Sequence, residues 1–191
     1  MNKIILDDIM GLPAYEKARE RFRQRFIELK KKRRVPVGDK VSLVFENRET
    51  VIFQIHEMMR AERITDLDKI REEIEVYNVL IPEPGELSAT LFLEIEDQSH
   101  LRDDLLRFLG VDEAVFLKIG TRKIQARCEE GRSKDDKISA VQYVKFPFTA
   151  DERAAFAGSA EAALLVEHPN YQAQVRLEAE TRESLLADLQ G

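Results

Sequence analysis

The sequence predicts an α+β fold, a largely antiparallel sheet with a helical N-terminal third packed on it. Three observations lead there. Apolar residues recur at helical spacing from Tyr15 to Tyr77, whereas strand-like alternation clusters beyond Glu86. Several of those strands are joined by turns of two or three residues, Gly120-Thr121 and His168-Pro169-Asn170. No regular succession of strand and long helix marks a doubly wound parallel sheet. The 191 residues, 43% hydrophobic, can bury one core, so residues 1–191 read as a single domain with a layer boundary near residues 81–85.

Taken in order, Pro13 suits a first helical turn. Tyr15, Ala18, Phe22, Phe26 and Leu29 then form one stripe within roughly 60° of helix surface. Val35-Pro36-Val37-Gly38 cannot continue this helix, which ends near Arg34. Val41, Leu43 and Phe45 alternate with Ser42, Val44 and Glu46 as a strand. Asn47 caps a second helix, Arg48 to Arg63, whose apolar face is Val51, Ile52, Ile55, Met58 and Met59. Thr65 and Asp68 have capping-box spacing for a third helix reaching Tyr77.

Glu86 to Glu96 reads as a half-buried strand, and His100 to Leu109 as a helix closed by Gly110. Ala114 to Ile119 and Arg122 to Glu129 form a hairpin, and a polar loop from Glu130 to Asp136 leads to a strand from Ile138 to Phe148. Thr149 and Glu152 make a second capping box before a short helix ending at Gly158. Ala162 to Val166 and Tyr171 to Leu177 pair as another hairpin, and Glu183 to Leu189 is a final helix.

Composition narrows the function classes. A single cysteine excludes a disulfide framework and fits a reducing compartment. Apolar runs such as Ala162 to Val166 fall far below the ~18 residues of a membrane span. Asp7 and Asp8 interrupt the run Ile4-Ile5-Leu6 that a signal peptide would extend. A cytoplasmic location with no membrane contact is expected.

Charge is unevenly spread. Lys17 to Arg34 holds ten basic residues against Glu20 and Glu28, a net +8, and leaves −14 on the remainder of a chain whose total is −6. One reading is a solvated face whose cations pair with acids of the same chain or of a second copy. A second is a docking face for an acidic partner, carried by Arg21, Arg25, Lys31 and Arg34. Nucleic acid fits less well, because the acidic remainder would repel a phosphate backbone and no aromatic-rich RNA-binding motif is present. A homodimer is a further arrangement that the opposed charges allow.

No G-x-G-x-x-G, P-loop, C-x-x-C, H-E-x-x-H or G-x-S-x-G motif occurs, so no cofactor or catalytic class is indicated. His56, beside Glu57 and near Glu49, is the candidate general base or metal ligand, although it lacks a second His one turn away. Its bland alternative is a half-buried structural imidazole. Cys128 reads as a small buried hydrophobe, with Arg127 and Arg132 as weak support for a reactive thiol. Two mixed-charge clusters at element ends, Arg60 with Arg63 and Arg132 with Lys137, are candidate ligand contacts. No metal site follows from spacing.

Several blocks resemble an uncharacterised bacterial family known as domain of unknown function 3501. They include Phe45-Glu46-Asn47-Arg48-Glu49-Thr50-Val51, the run from Gln54 to Ile64, Tyr77 to Pro82, Leu87 to Leu91, Lys137 to Phe146 and His168-Pro169. The likeness extends from about Leu6 to Leu189. Where relatives are expected to carry Thr and His after Lys137, this chain has Ile138 and Gln142. The resemblance implies a bacterial cytoplasmic protein encoded near rubrerythrin-like proteins and iron–sulfur oxidoreductases. It thereby implies an accessory, partner-binding role in redox or oxidative-stress metabolism, with a rubrerythrin-like or iron–sulfur protein as the acidic partner. The alternative is a small enzyme or metal-binding protein using His56 and nearby carboxylates.

Overall fold

The computed structural model describes residues 1–95, 101–128, 139–158 and 161–190. It is an α+β fold in which every strand pairing is antiparallel. The expected sheet divides into two. The five-stranded sheet has the order β1-β2-β3-β7-β6, from Arg34–Val37, Val41–Glu46, Glu86–Leu93, Val141–Pro147 and Arg127–Cys128. The four-stranded sheet has the order β5-β4-β8-β9, from Arg122–Gln125, Val115–Ile119, Ala162–His168 and Tyr171–Arg176.

Helices α1 (Leu12–Lys31), α2 (Arg48–Ala61) and α3 (Leu67–Asn78) form the N-terminal layer. Helices α4 (Leu101–Arg107), α5 (Ala150–Gly158) and α6 (Ala179–Gln190) follow.

Two apolar clusters account for this arrangement. The larger lies between the sheets, where Val41, Leu43 and Phe45 of β2 meet Leu117 of β4 and Leu164 of β8, with Leu185 and Leu189 of α6 packed against them. The smaller joins Val51, Ile55 and Met59 of α2 to Ile70 and Ile74 of α3 and to Ile4, with Tyr143 of β7 packed against it. The helical layer therefore covers the second face of the five-stranded sheet. That is why all six residues of β2 are buried and why β3, expected to be half-buried, buries five residues in a row.

Differences from the expected elements have local causes. Val35-Pro36-Val37 is a strand and not an irregular exit from α1. As the edge strand of its sheet, β1 hydrogen-bonds as a ladder only with β2, so the missing N–H of Pro36 costs little. The segment expected as one strand from Arg122 to Glu129 breaks at Ala126, whose N–H still donates to the Val115 carbonyl (2.9 Å). Past that point the chain leaves β4 and pairs as β6 with β7.

Asp66, one residue beyond Thr65, caps α3 by accepting from the N–H groups of Asp68 and Lys69. Helix α6 starts at Ala179 instead of Glu183. The cap at Asn47 and the capping box of Thr149 with Glu152 form as read. His100 and the polar loop, with Arg132, Lys137 and Ile138, lie outside the described residues.

The edges of the two sheets meet where Tyr171 donates its hydroxyl proton to the Val37 carbonyl (2.7 Å) and accepts from Lys40 N–H (3.1 Å). Gly38 sits beneath that hydroxyl at φ +74°, and a Cβ there would lie 2.2 Å from it. Gly38→Ala should therefore cost about 1–3 kcal/mol in urea denaturation. The loss should shrink in a Tyr171→Phe background, where the clashing oxygen is absent.

Candidate functional site

The residues singled out in α1 and α2 meet where these helices cross. Tyr15, the one wholly buried residue of α1, stacks flat on the His56 ring at 4.5 Å between centroids and 11° between planes. Phe22 approaches the same imidazole at 6.0 Å. His56 is fully buried where a half-buried ring was expected, because α1 lies across it.

Met10 N–H donates to His56 Nε2 at 2.9 Å, so that nitrogen holds the lone pair and the ring proton sits on Nδ1. Burial lowers the His56 pKa, offset partly by the Ile52 carbonyl one turn earlier and by Glu57. The Ile52 approach falls short of good hydrogen-bond geometry, leaving Nδ1 without a well-formed partner. The lone pair a general base or metal ligand would offer is thus engaged by a backbone amide.

Glu57 is equally committed. Its Oε1 accepts from the Tyr15 hydroxyl (2.7 Å) and Arg19 Nε (2.8 Å), and its Oε2 accepts from Arg19 Nη2 (2.8 Å). The Arg19 fork holds the carboxyl below its ordinary range, and the Tyr15 hydroxyl adds to this against partial burial. Burial, and after it the same contact, pushes the Tyr15 phenol well above its ordinary value. The cluster is a charge-satisfied clasp between the two helices.

Beside the clasp, α1 and α2 leave a recess of about 310 Å³. Met10, Phe22, Phe26, Leu29, Ile52 and Phe53 line it, with His56 in the wall. Phe26 and Phe53 stack at 4.0 Å. Asp8, Arg25 and Glu49 form its polar part, where Arg25 pairs with Glu49 and Asp8 with Arg48.

Most cations of the basic segment have partners in the same chain. Lys31 pairs with Glu28, Lys32 with Glu180 and Arg34 with Glu94, while outside the segment Arg60 of α2 pairs with Glu16. Arg33 is wholly buried and pairs with Asp188 of α6. Lys17 and Arg21 are exposed with no ion-pair partner among the described residues, and the Arg21 guanidinium sits 5.9 Å over the Phe22 ring. Exposed Arg63 is the residue just past α2 in the left-handed region at φ 53°.

The remaining candidates stand elsewhere. Half-buried Cys128 belongs to edge strand β6, with Sγ 3.6 Å from the Tyr143 carbonyl. His168 Nδ1 accepts from Asn170 N–H, so its Nε2 donates to the Leu109 carbonyl (3.0 Å). Among the described residues, no three His, Cys, Asp or Glu side chains converge in a way that could hold a metal ion. No described helix is long and apolar enough to cross a membrane.

Sequence reasoning missed Tyr15 as the lid of His56, although a Tyr on the stripe facing a His-bearing helix was a readable signal. It also missed the buried polar group around Arg33 and Glu46, for which a run of five basic residues offers no signal.

Two consequences are measurable. The unfolded His56 ring has an ordinary value of 6.5 and the folded ring titrates lower, so the folded state binds fewer protons. Its contribution to unfolding free energy should therefore fall as pH drops below about 6.5, by at most about 1.4 kcal/mol per pH unit, until the folded ring itself titrates. Denaturation at pH 7.5 and 5.5 should show this loss reduced in His56→Phe. Arg63 fills the position glycine favours after a helix, so Arg63→Gly should raise stability by about 0.5–1 kcal/mol in thermal unfolding.

Comparison with known proteins agrees with this architecture. A crystal structure of a novel protein of unknown function from Burkholderia pseudomallei K96243 is 33% identical, with a TM-score of 0.93 over 98% of this chain and 100% of that one. No curated protein matches the chain. A family model described as protein of unknown function (DUF3501) matches residues 3–189, nearly the whole length, and the chain belongs to that family.

Proposed function

We propose that the chain is a non-enzymatic accessory protein that binds an acidic protein partner through the outward face of α1. The observation that supports this best is the spare surface of that helix. Of its 20 residues only Tyr15 is wholly buried. Lys17 and Arg21, one turn apart on the outward face, form no ion pair among the described residues although Glu16 and Glu20 are adjacent in sequence, and a carboxylate-bearing partner could pair with them.

Arg25, Lys31, Arg34 and Arg60 already hold acids of this chain, so they contribute to the local field more than to direct contact. The same pairing weakens the case for nucleic acid, which needs many free cations along one track. The redox link rests on the resemblance, which implies a rubrerythrin-like or iron–sulfur partner. The reading as an enzyme or metal-binding protein has less support, because both functional groups of the His56–Glu57 pair are occupied.

The test uses nuclease-treated extract of the native organism, captured on wild-type protein and on Lys17→Glu/Arg21→Glu. The captured partner is then purified and titrated against both. The expected result is a stoichiometric complex, at least about tenfold weaker for the variant and weakening as salt rises. Equal affinity for both proteins would remove the outward face of α1 from the interface. Absence of any saturable partner would remove the accessory reading itself.

A further inference from the structure

We propose that Glu46 is held as a neutral carboxylic acid in the folded chain, and that its ionisation as pH rises releases a latch between β2 and the start of α2. This device is independent of the partner on the outward face of α1.

Glu46 ends β2 with 3% of its surface exposed. Thr90 of β3 reaches its Oε1 at 2.6 Å, Gln54 of α2 reaches its Oε2 at 2.9 Å, and the buried Thr50 hydroxyl meets the same Oε2. Ser88 of β3 stands opposite it in the register.

Charge favours the acid form. Arg33, whose charge acts on Glu46, is paired with Asp188 and gives only the Glu46 main-chain carbonyl a hydrogen bond (3.1 Å). Further along the sheet, Lys145 of β7 stands opposite Ser88 and pairs with Glu86 (3.0 Å), while Tyr143 stands opposite Thr90 and brings no cation. On α2, Arg48 pairs with Asp8, Glu49 with Arg25 and Glu57 with Arg19. An ionised Glu46 is therefore a buried negative charge without a counter-ion of its own among the described residues, and one proton removes it.

The Thr50 hydroxyl gives the proton a place. It accepts from Asn47 N–H at 2.9 Å, lies 3.0 Å from the Asn47 carbonyl and also meets Glu46 Oε2. Its single proton cannot serve both acceptors. With a proton on Oε2, Glu46 donates to Thr50, and Thr50 donates to the Asn47 carbonyl. Oε1 still accepts from Thr90, and the remaining lone pair of Oε2 accepts from Gln54, so every contact is filled. Burial, the largest influence on this carboxyl, pushes it up against those hydrogen bonds and Arg33.

The Glu46–Thr50 bond joins β2 to the first turn of α2, the helix that carries His56 and Glu57 of the clasp on α1. Ionisation removes the donor and leaves a charge that favours water over that seat. Between the ordinary value of 4.5 and its folded value, Glu46 keeps a proton that the unfolded chain has released, so its stabilisation is lost as pH rises through that window.

The test is ¹³C NMR of the full chain with labelled Glu carboxyls, Glu46 being assigned through its backbone. The Glu46 carboxyl should show the neutral-acid shift at pH 7 and move to the carboxylate shift only at higher pH. The Asn47 and Thr50 amide resonances should move with the same midpoint. In urea unfolding above pH 6, the folding equilibrium constant of the wild type should fall relative to Glu46→Gln by up to about tenfold per pH unit, levelling off once the folded carboxyl ionises. Glutamine keeps the shape and a donor but cannot ionise, and His56 and Asp188 titrate in both proteins.

A carboxylate shift at pH 7 would overturn the neutral acid. Parallel stability curves, or Asn47 and Thr50 amides that ignore the Glu46 titration, would overturn the latch. If Glu46→Gln does not fold, the carboxyl and amide titrations of the wild type decide alone.

Discussion

The fold turns on a buried guanidinium. Arg33 follows α1 and is wholly inaccessible to solvent. Its Nε donates to the Phe45 carbonyl (2.7 Å) and its Nη2 to the Glu46 carbonyl (3.1 Å), both on β2. Its Nη1 reaches Ser184 Oγ (2.9 Å), and its charge is met by Asp188. One side chain thereby ties the end of the basic helix to the sheet and to α6. A charge this deep is tolerated only when its donors are engaged and a counter-ion stands beside it.

The acids nearby show what that arrangement costs. Burial pushes the Asp188 carboxyl up, opposed by Arg33 and by the Asn47 side chain. Burial likewise raises Glu46, opposed by hydrogen bonds from Thr50, Thr90 and Gln54 and by the charge of Arg33. Two carboxyls and one cation thus share a buried polar seam at the end of β2. The seam places α2 through Thr50 and Gln54 and α6 through Ser184 and Asp188. A surface pair such as Lys31–Glu28 fixes nothing comparable, since water competes for both ends.

Legibility in the sequence followed the range of the interactions. The α1 stripe from Tyr15 to Leu29, the caps at Asn47 and Thr149 and the hairpin at His168-Pro169-Asn170 depend on neighbours within a few residues, and all were readable. Two sheets instead of one was not, because the break at Ala126 is set by which neighbour pairs beyond it and not by any breaker residue. The site divided similarly. His56 and Glu57 stood out as chemistry-bearing residues, but nothing local showed that Met10 N–H would take the imidazole lone pair across 46 positions. Arg33 looked like its basic neighbours until the fold brought Asp188 to it.

The division into two sheets also bears on how the chain reaches its native state. In the five-stranded sheet, β2 pairs with β3 across α2 and α3, and β3 pairs with β7 only after the whole of β4, β5 and β6 has been passed. Such separations put most of the loop-closure entropy ahead of the contacts that compensate it, the topology of slow folders. Helices α2 and α3 lie inside the loop that the β2–β3 seam closes, so their local packing can shorten it beforehand. Until β7 arrives, the central strand β3 carries an open edge, and that interval is when neighbouring chains compete with the native partner.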